Sequence, residues 1–226
     1  MSAAPDDPRA TSPDGPRTPW GPDPGGSPWH ERVPELTAAD PRLLAHCVAV
    51  ATTCASLARC CGLDDHEVAV AQLAGLLHDV GKAPSLRRDG ELHHLTGARL
   101  LRDAGDERLA RLVAHHSGGR FEAELAGQDL GAYEREQSLV ADVLDLADLT
   151  TQPNGRPISI RGRYADIRER YGVRDGDAIA LDLFVPDLTG VVARVTARIE
   201  GDTLRRRLSA SWEPPAGRTR RAADGP

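Results

Sequence analysis

Six of the chain's eight histidines, His46, His78, His93, His94, His115 and His116, share one region with several aspartates. Imidazole and carboxylate are ligands for divalent transition metals, and an ion so held acidifies water and polarises phosphoryl or carbonyl oxygens. The strongest single signal is Leu76-Leu77-His78-Asp79-Val80-Gly81-Lys82, where two ligand types close a helix. Between Val68 and Leu77 the only strongly polar residue of that helix is Gln72, so it is expected to be buried on all sides. Buried ionisable groups are costly unless paired or coordinated, and a bound cation would pair both. Neighbouring residues point about 100° apart on a helix. His78 and Asp79 can therefore meet one ion only from the helix end, and further ligands must come from elsewhere.

His46 lies at the margin of the apolar stripe of an earlier helix, beside Val50 and Leu57, and is the next candidate. Asp142, Asp145 and Asp148 follow at three-residue spacing on a later helix whose stripe is Leu139, Val140, Val143, Leu144 and Ala147. Asp148 flanks that stripe and is the better ligand, while Asp142 and Asp145 read as solvated. Lys82 is the sole lysine of a chain whose other cations are arginines. Beside a metal it would serve as a compact charge for a phosphate, with Arg120 a second candidate for that role. Ser117-Gly118-Gly119 could offer backbone N–H groups to the same phosphate, or could simply end a helix.

The elements that must position these residues read as helices. Asp40-Pro41 supplies an N-cap and a first-turn proline, and a helix of about 20 residues follows up to Gly62. The buried helix starts near Asp64/Asp65 and ends at His78-Asp79-Val80, where Gly81 suits a left-handed cap and Pro84 prevents resumption. Further helices are expected over 96–103, 106–116, 136–149, 160–170 and 188–199, with 178–185 open between strand and helix. The expectation is one all-α domain over 36–201, with its metal-binding core at about 42–171. A disordered Pro/Gly-rich arm over 1–35 precedes it, in which Trp20 and Trp29 dock loosely or sit in solvent. A flexible basic tail over 202–226, with Arg218, Arg220 and Arg221, follows.

A net charge of −6 argues against general nucleic-acid binding, which needs a basic surface. No uncharged apolar run reaches the roughly 18 residues of a membrane helix, and the start has no apolar secretion signal. The expected location is cytoplasmic, without membrane contact. Cys47, Cys54, Cys60 and Cys61 form no CxxC pair and read as reduced, mostly packed thiols.

The order His46, His78-Asp79-Val80-Gly81-Lys82, Asp148 resembles the H…HD…D pattern of the HD-domain metal phosphohydrolases, over roughly Arg42 to Tyr171. A closer resemblance is to a group of small bacterial HD proteins. It is carried by His93 before Gly97-Ala98, by His115-His116-Ser117-Gly118, by Ala147-Asp148-Leu149-Thr150-Thr151, and by the later Arg163 and Ile167–Gly172 string. The resemblance implies a helical HD bundle in which His46, His78, Asp79 and Asp148 hold a first metal. It further implies a second metal at His93 and His116, with Asp79 bridging and His115 as a replacement or supplement for His116. His94 reads as a neighbour of the site. Gly118-Gly119 leads to Arg120-Phe121-Glu122 and not to the Gly-Tyr-Pro of cyclic-dinucleotide phosphodiesterases. Ala83-Pro84 stands where stringent-response hydrolases carry Glu-Asp. The implied function is hydrolysis of a phosphate ester or phosphoanhydride of a nucleotide-like small molecule, with one or two ions of Fe, Mn, Co or Zn. Two other readings are a sensing module that binds nucleotide without turnover and a di-iron oxygenase of HD type.

Overall fold

The computed structural model describes residues 27–172 and 176–212. Trp20 and the arginines at 218, 220 and 221 lie outside the described residues. Within them the chain forms ten α-helices, two 3₁₀ turns and no strand, with a single antiparallel bridge between Thr151 and Pro157. The all-α expectation holds.

Three helices make the frame of the site. α2 (Pro41–Cys60) starts as expected, the Asp40 carboxylate accepting the N–H groups of Arg42 and Leu43 at 3.1 Å each. α3 (Asp65–Leu77) is capped by Asp64, which accepts the Glu67 N–H at 2.8 Å, and α7 (Leu139–Leu149) by Ser138, which accepts that of Ala141 at 3.2 Å. α2 packs on both of the others, and meets α3 at Gly75. A Cβ there would lie 2.9 Å from Ala51 Cα and from Cys54 Sγ, so the bare backbone of α3 rests directly on α2. By length and composition α2 could itself cross a membrane, an 18-residue window in it reaching a mean hydropathy of 1.5. Half of that window is buried inside the protein, as in a core helix. None of the four cysteines is bridged; Cys47, Cys54 and Cys61 are buried and Cys60 is exposed.

Beyond α3 the backbone stays helical through His78 and tightens into a 3₁₀ turn at Val80–Lys82. Gly81 does not take the left-handed conformation expected of it. Its glycine has a different cause: a Cβ would sit 2.0 Å from the His93 carbonyl oxygen and 2.8 Å from the Gly97 amide nitrogen. The turn is thus pressed against the first turn of α4 (His93–Asp103), which joins α5 (Glu107–His115) through Gly105 at φ 90°. A second 3₁₀ turn at His116–Gly118 leads into α6 (Gly119–Ala126), a helix the sequence pattern did not indicate.

α8 (Ile160–Tyr171), α9 (Gly176–Arg198) and α10 (Asp202–Ser211) complete the bundle. The open stretch 178–185 is helical, and α9 continues through Pro186 to bury Phe184, Leu188, Val191 and Val195. That packing overturns the solvated reading of two aspartates. Asp142 is buried and takes two bonds of 2.7 Å from Arg194 of α9, and Asp145 is buried and accepts the Ser117 N–H at 2.6 Å. The expected ends of the domain also move. Trp29 and Val33 of α1 (Trp29–Leu36) are in the core, and the Trp29 indole N–H donates to Asp106 at 2.6 Å. At the other end Leu208 and Trp212 are buried, the Trp212 indole donating to Thr189 at 3.2 Å. Both anchors are partners distant in sequence, which composition cannot reveal.

Arg108 ties α5 to α3 and to the segment before α7. Its guanidinium donates to Glu67 at 2.6 and 2.7 Å and to Glu136 at 2.9 to 3.2 Å. The Arg108 bonds hold the Glu67 carboxyl below its ordinary value. Burial pushes Glu136 up, but the Arg108 and Ser138 bonds outweigh it and leave it lowered as well. Lowered carboxylates contribute stability above their unfolded pKa and lose it as pH falls through the folded value. Arg108→Ala should therefore cost about 1–2 kcal/mol at neutral pH, the guanidinium being partly exposed. The penalty should shrink below about pH 4.3, the unfolded glutamate value. Urea melts at pH 7 and pH 3.5 check both parts.

Candidate metal centre

Three imidazoles are oriented by backbone carbonyls. His46 Nδ1–H donates to Gln152 O at 3.0 Å, His78 Nδ1–H to Gly75 O at 2.8 Å, and His116 Nδ1–H to Val113 O at 2.7 Å. Each then presents Nε2 as a lone pair when the ring is neutral. The His46 and His78 Nε2 atoms stand 3.2 Å apart. Asp148 Oδ1 lies 3.2 Å from the first and 3.6 Å from the second. Asp79 divides its two oxygens: Oδ2 is 3.7 Å from His46 Nε2 and 3.6 Å from His78 Nε2, while Oδ1 is 3.2 Å from His93 Nε2 and 3.6 Å from His116 Nε2. Lys82 Nζ donates to Asp79 Oδ2 at 2.9 Å, with its side chain about half exposed.

The electrostatics set two charges facing these nitrogens. Burial pushes both carboxyls up, yet Lys82 and His78 hold Asp79, and hydrogen bonds from His46 and His78 hold Asp148, well below the carboxylate range. Burial lowers His46 and His116, but bonds to Asp148 and to Asp79 respectively outweigh it and raise both. His93 is driven down to about 3 by burial and by Lys82. Neutral imidazoles and ionised carboxylates would oppose lone pair to lone pair at the distances above. Either protons or a cation must lie between them, and the fixed Nδ1–H tautomers prepare Nε2 for a cation. Three overlapping groups have ligand atoms within 4.8 Å of one another: His46, His78 and Asp79; His78, His116 and Asp148; and His93, His94 and His116. The donor set fits a divalent metal.

Of the residues expected from sequence, the fold brings together His46, His78, Asp79, Lys82, His93, His116 and Asp148. All but His78, which is fully buried behind them, border one cleft of about 610 Å³. His115 is not among them: α5 ends at it, and its Nε2–H donates to Tyr133 O at 2.6 Å. Arg120 is also directed away, donating to Asp187 at 2.8 Å and lying over the Phe121 ring. Ser117 reaches the cleft with its hydroxyl bonded to Asp148 Oδ2 at 2.6 Å. His94 is a neighbour of the site, its ring centroid 3.8 Å from that of His93 and 4.5 Å from that of His116, with Nδ1 buried 3.7 Å from Glu122 Oε2 and without a hydrogen bond. Sequence reading missed Glu122, which lines the cleft and whose carboxyl burial and Asp177 push up to about 7. It lies on α6, and without that helix nothing in the pattern singles it out. A larger cavity of about 720 Å³ between α5, α7 and α9 shares only His116 with the cleft.

The family model of the HD domain matches residues 43–151, a span that contains every residue of the converging set. No curated protein and no solved structure matches the chain. HD domains bind divalent metals and are generally metal-dependent phosphohydrolases, although some are not catalytically active. With the His78-Asp79 pair at the centre of an all-helical bundle, residues 43–151 of this chain form an HD domain.

Proposed function

We propose that this chain hydrolyses a phosphate ester or phosphoanhydride of a small, nucleotide-like molecule. The observation that carries the reading is the division of Asp79 between two imidazole pairs, which suits one or two ions in a single cleft. His46, His78, Asp79 and Asp148 would hold the first ion, and His93 and His116, with Asp79 shared, a second. Nitrogen and oxygen donors of this kind favour Fe, Mn, Co or Zn over a Mg or Ca cage. Such a metal lowers the pKa of water towards neutrality and polarises a phosphoryl oxygen.

The chain's own residues supply the rest. Lys82, held beside Asp79 yet half exposed to the cleft, offers its ammonium to the phosphoryl oxygens as charge develops. Arg42 and Arg163 border the same cleft with Leu43, Leu149 and Leu181, a mixture that fits a ligand with an anionic and an apolar end. Replacing Lys82 by Ala should leave bound metal unchanged and lower kcat by about 10²–10³, the effect of losing one preorganised charge donor. Metal analysis beside phosphate-release kinetics checks it.

The test of the reading is anaerobic purification, metal analysis, and a screen of phosphate release from nucleotides and dinucleoside polyphosphates with added Mn or Fe. One or two ions per chain with turnover supports hydrolysis. Bound metal without turnover turns the reading to a sensing module, and substrate-linked oxygen uptake by iron-loaded protein turns it to an oxygenase. A chain that takes up no metal under any loading removes the proposal.

A further inference from the structure

Ser117 is the single non-glycine residue in the left-handed region among the described residues, at φ 48° and ψ 33°. That conformation costs an L-residue roughly 1–2 kcal/mol, so something must hold it. Two bonds do: the Ser117 N–H donates to Asp145 Oδ1 and the Ser117 hydroxyl to Asp148 Oδ2, each at 2.6 Å. The acceptors sit one turn apart on α7 and both are buried. Ser117 therefore bridges a turn of α7 from the chain segment that begins with His116. Its hydroxyl occupies one oxygen of Asp148, which leaves Oδ1 facing His46 and His78 at 3.2 and 3.6 Å.

We infer that Asp145 and Ser117 are positioning residues that fix the rotation of Asp148 and the approach of His116 to the metal. This inference rests on the metal reading above. Asp145 touches no ion in it. It anchors the Ser117 backbone, Ser117 anchors Asp148, and the last turn of α7 is thereby locked to the end of α5. The Asp145 carboxylate, buried on α7 where a solvated residue was expected, thus has a structural partner that leads to the centre.

The experiment is Mn²⁺ binding to the full chain by calorimetry, with thermal melts of the metal-free proteins alongside. Ser117→Gly separates the two roles of Ser117, since glycine accepts the left-handed backbone and lacks the hydroxyl. It should melt no lower than the wild type yet bind Mn²⁺ about tenfold more weakly. Asp145→Ala should weaken binding by about the same factor, while Asp145→Asn, whose amide oxygen accepts the same N–H, should stay within about threefold of wild type. The double variant Ser117→Gly/Asp145→Ala should bind within about twofold of Ser117→Gly alone, because both changes cut one chain of bonds. Wild-type affinity in Ser117→Gly, equal damage from Asn and Ala at 145, or fully additive losses would each overturn the inference while leaving the metal reading intact. A wild-type chain that takes up no Mn²⁺ overturns both.

Discussion

Asp79→Ala is expected to yield a folded chain that retains no metal and releases no phosphate. Both oxygens of this one carboxylate are committed, Oδ2 to the His46/His78 pair and to Lys82, Oδ1 to the His93/His116 pair. Asp148, the cluster's other anion, makes its close contacts with the first pair, its Oδ1 lying 3.2 Å from His46 Nε2 and 3.6 Å from His78 Nε2. Its removal takes a full negative charge from a buried site that must attract a dication, and it disconnects the two halves of the donor set. The loss in rate is large because water without a bound metal returns from a pKa near 7 to about 15.7. Folding should survive, since the ammonium released from Asp79 is half exposed and can be resolvated. Bound metal, phosphate release and a thermal melt of the same preparation check the three parts. An Asp79→Ala protein that turns over substrate without metal would refute the proposed mechanism.

Gly81→Ala should be the most damaging single methyl in the region, destabilising the fold by at least about 3 kcal/mol. The added carbon would be placed 2.0 Å from a carbonyl oxygen and 2.8 Å from an amide nitrogen, both backbone atoms of α4. A flexible side chain can turn away from such a contact; a helix's first turn cannot. Relief requires separating the 3₁₀ turn from α4, and that separation draws Asp79 away from His93, 3.2 Å distant across the same junction. Stability and metal affinity should fall together. Gly97 lies on the other side of the contact, where a Cβ would be 3.0 Å from Val113 Cγ1 and 3.4 Å from the Gly81 nitrogen. Gly97→Ala should therefore cost less, since the closest obstacle is the end of a side chain. Melts of the two variants side by side, with Mn²⁺ affinity, test the ordering; equal stability of Gly81→Ala and wild type would show that the junction yields.

The features legible in the sequence were those decided within one or two helical turns. Asp40-Pro41 starts α2 because a carboxylate three residues from an open N–H is a local arrangement. His78-Asp79 closes an apolar helix, and that burial with its charges argues for a cation before any neighbour is known. His46 and Asp148 could be chosen because each flanks a periodic apolar stripe, and a stripe tells which side of a helix faces inward.

What lies on the other side of a helix is set by segments far away in the chain, and there the tertiary structure decided. Asp142 and Asp145 stand opposite the stripe of α7, yet α9 and the Ser117 turn cover that side and supply their partners. Which of two adjacent histidines faces the cleft depended on where α5 stops: His115 keeps the helix and turns to Tyr133, while His116 leaves it and turns to Asp79. Trp29 entered the core through an aspartate 77 residues away. By itself the sequence determined an all-helical chain carrying a His-Asp pair that needs a cation. Only the packing determined which oxygens and nitrogens converge on one point, because periodicity is a local property of the chain and convergence is not.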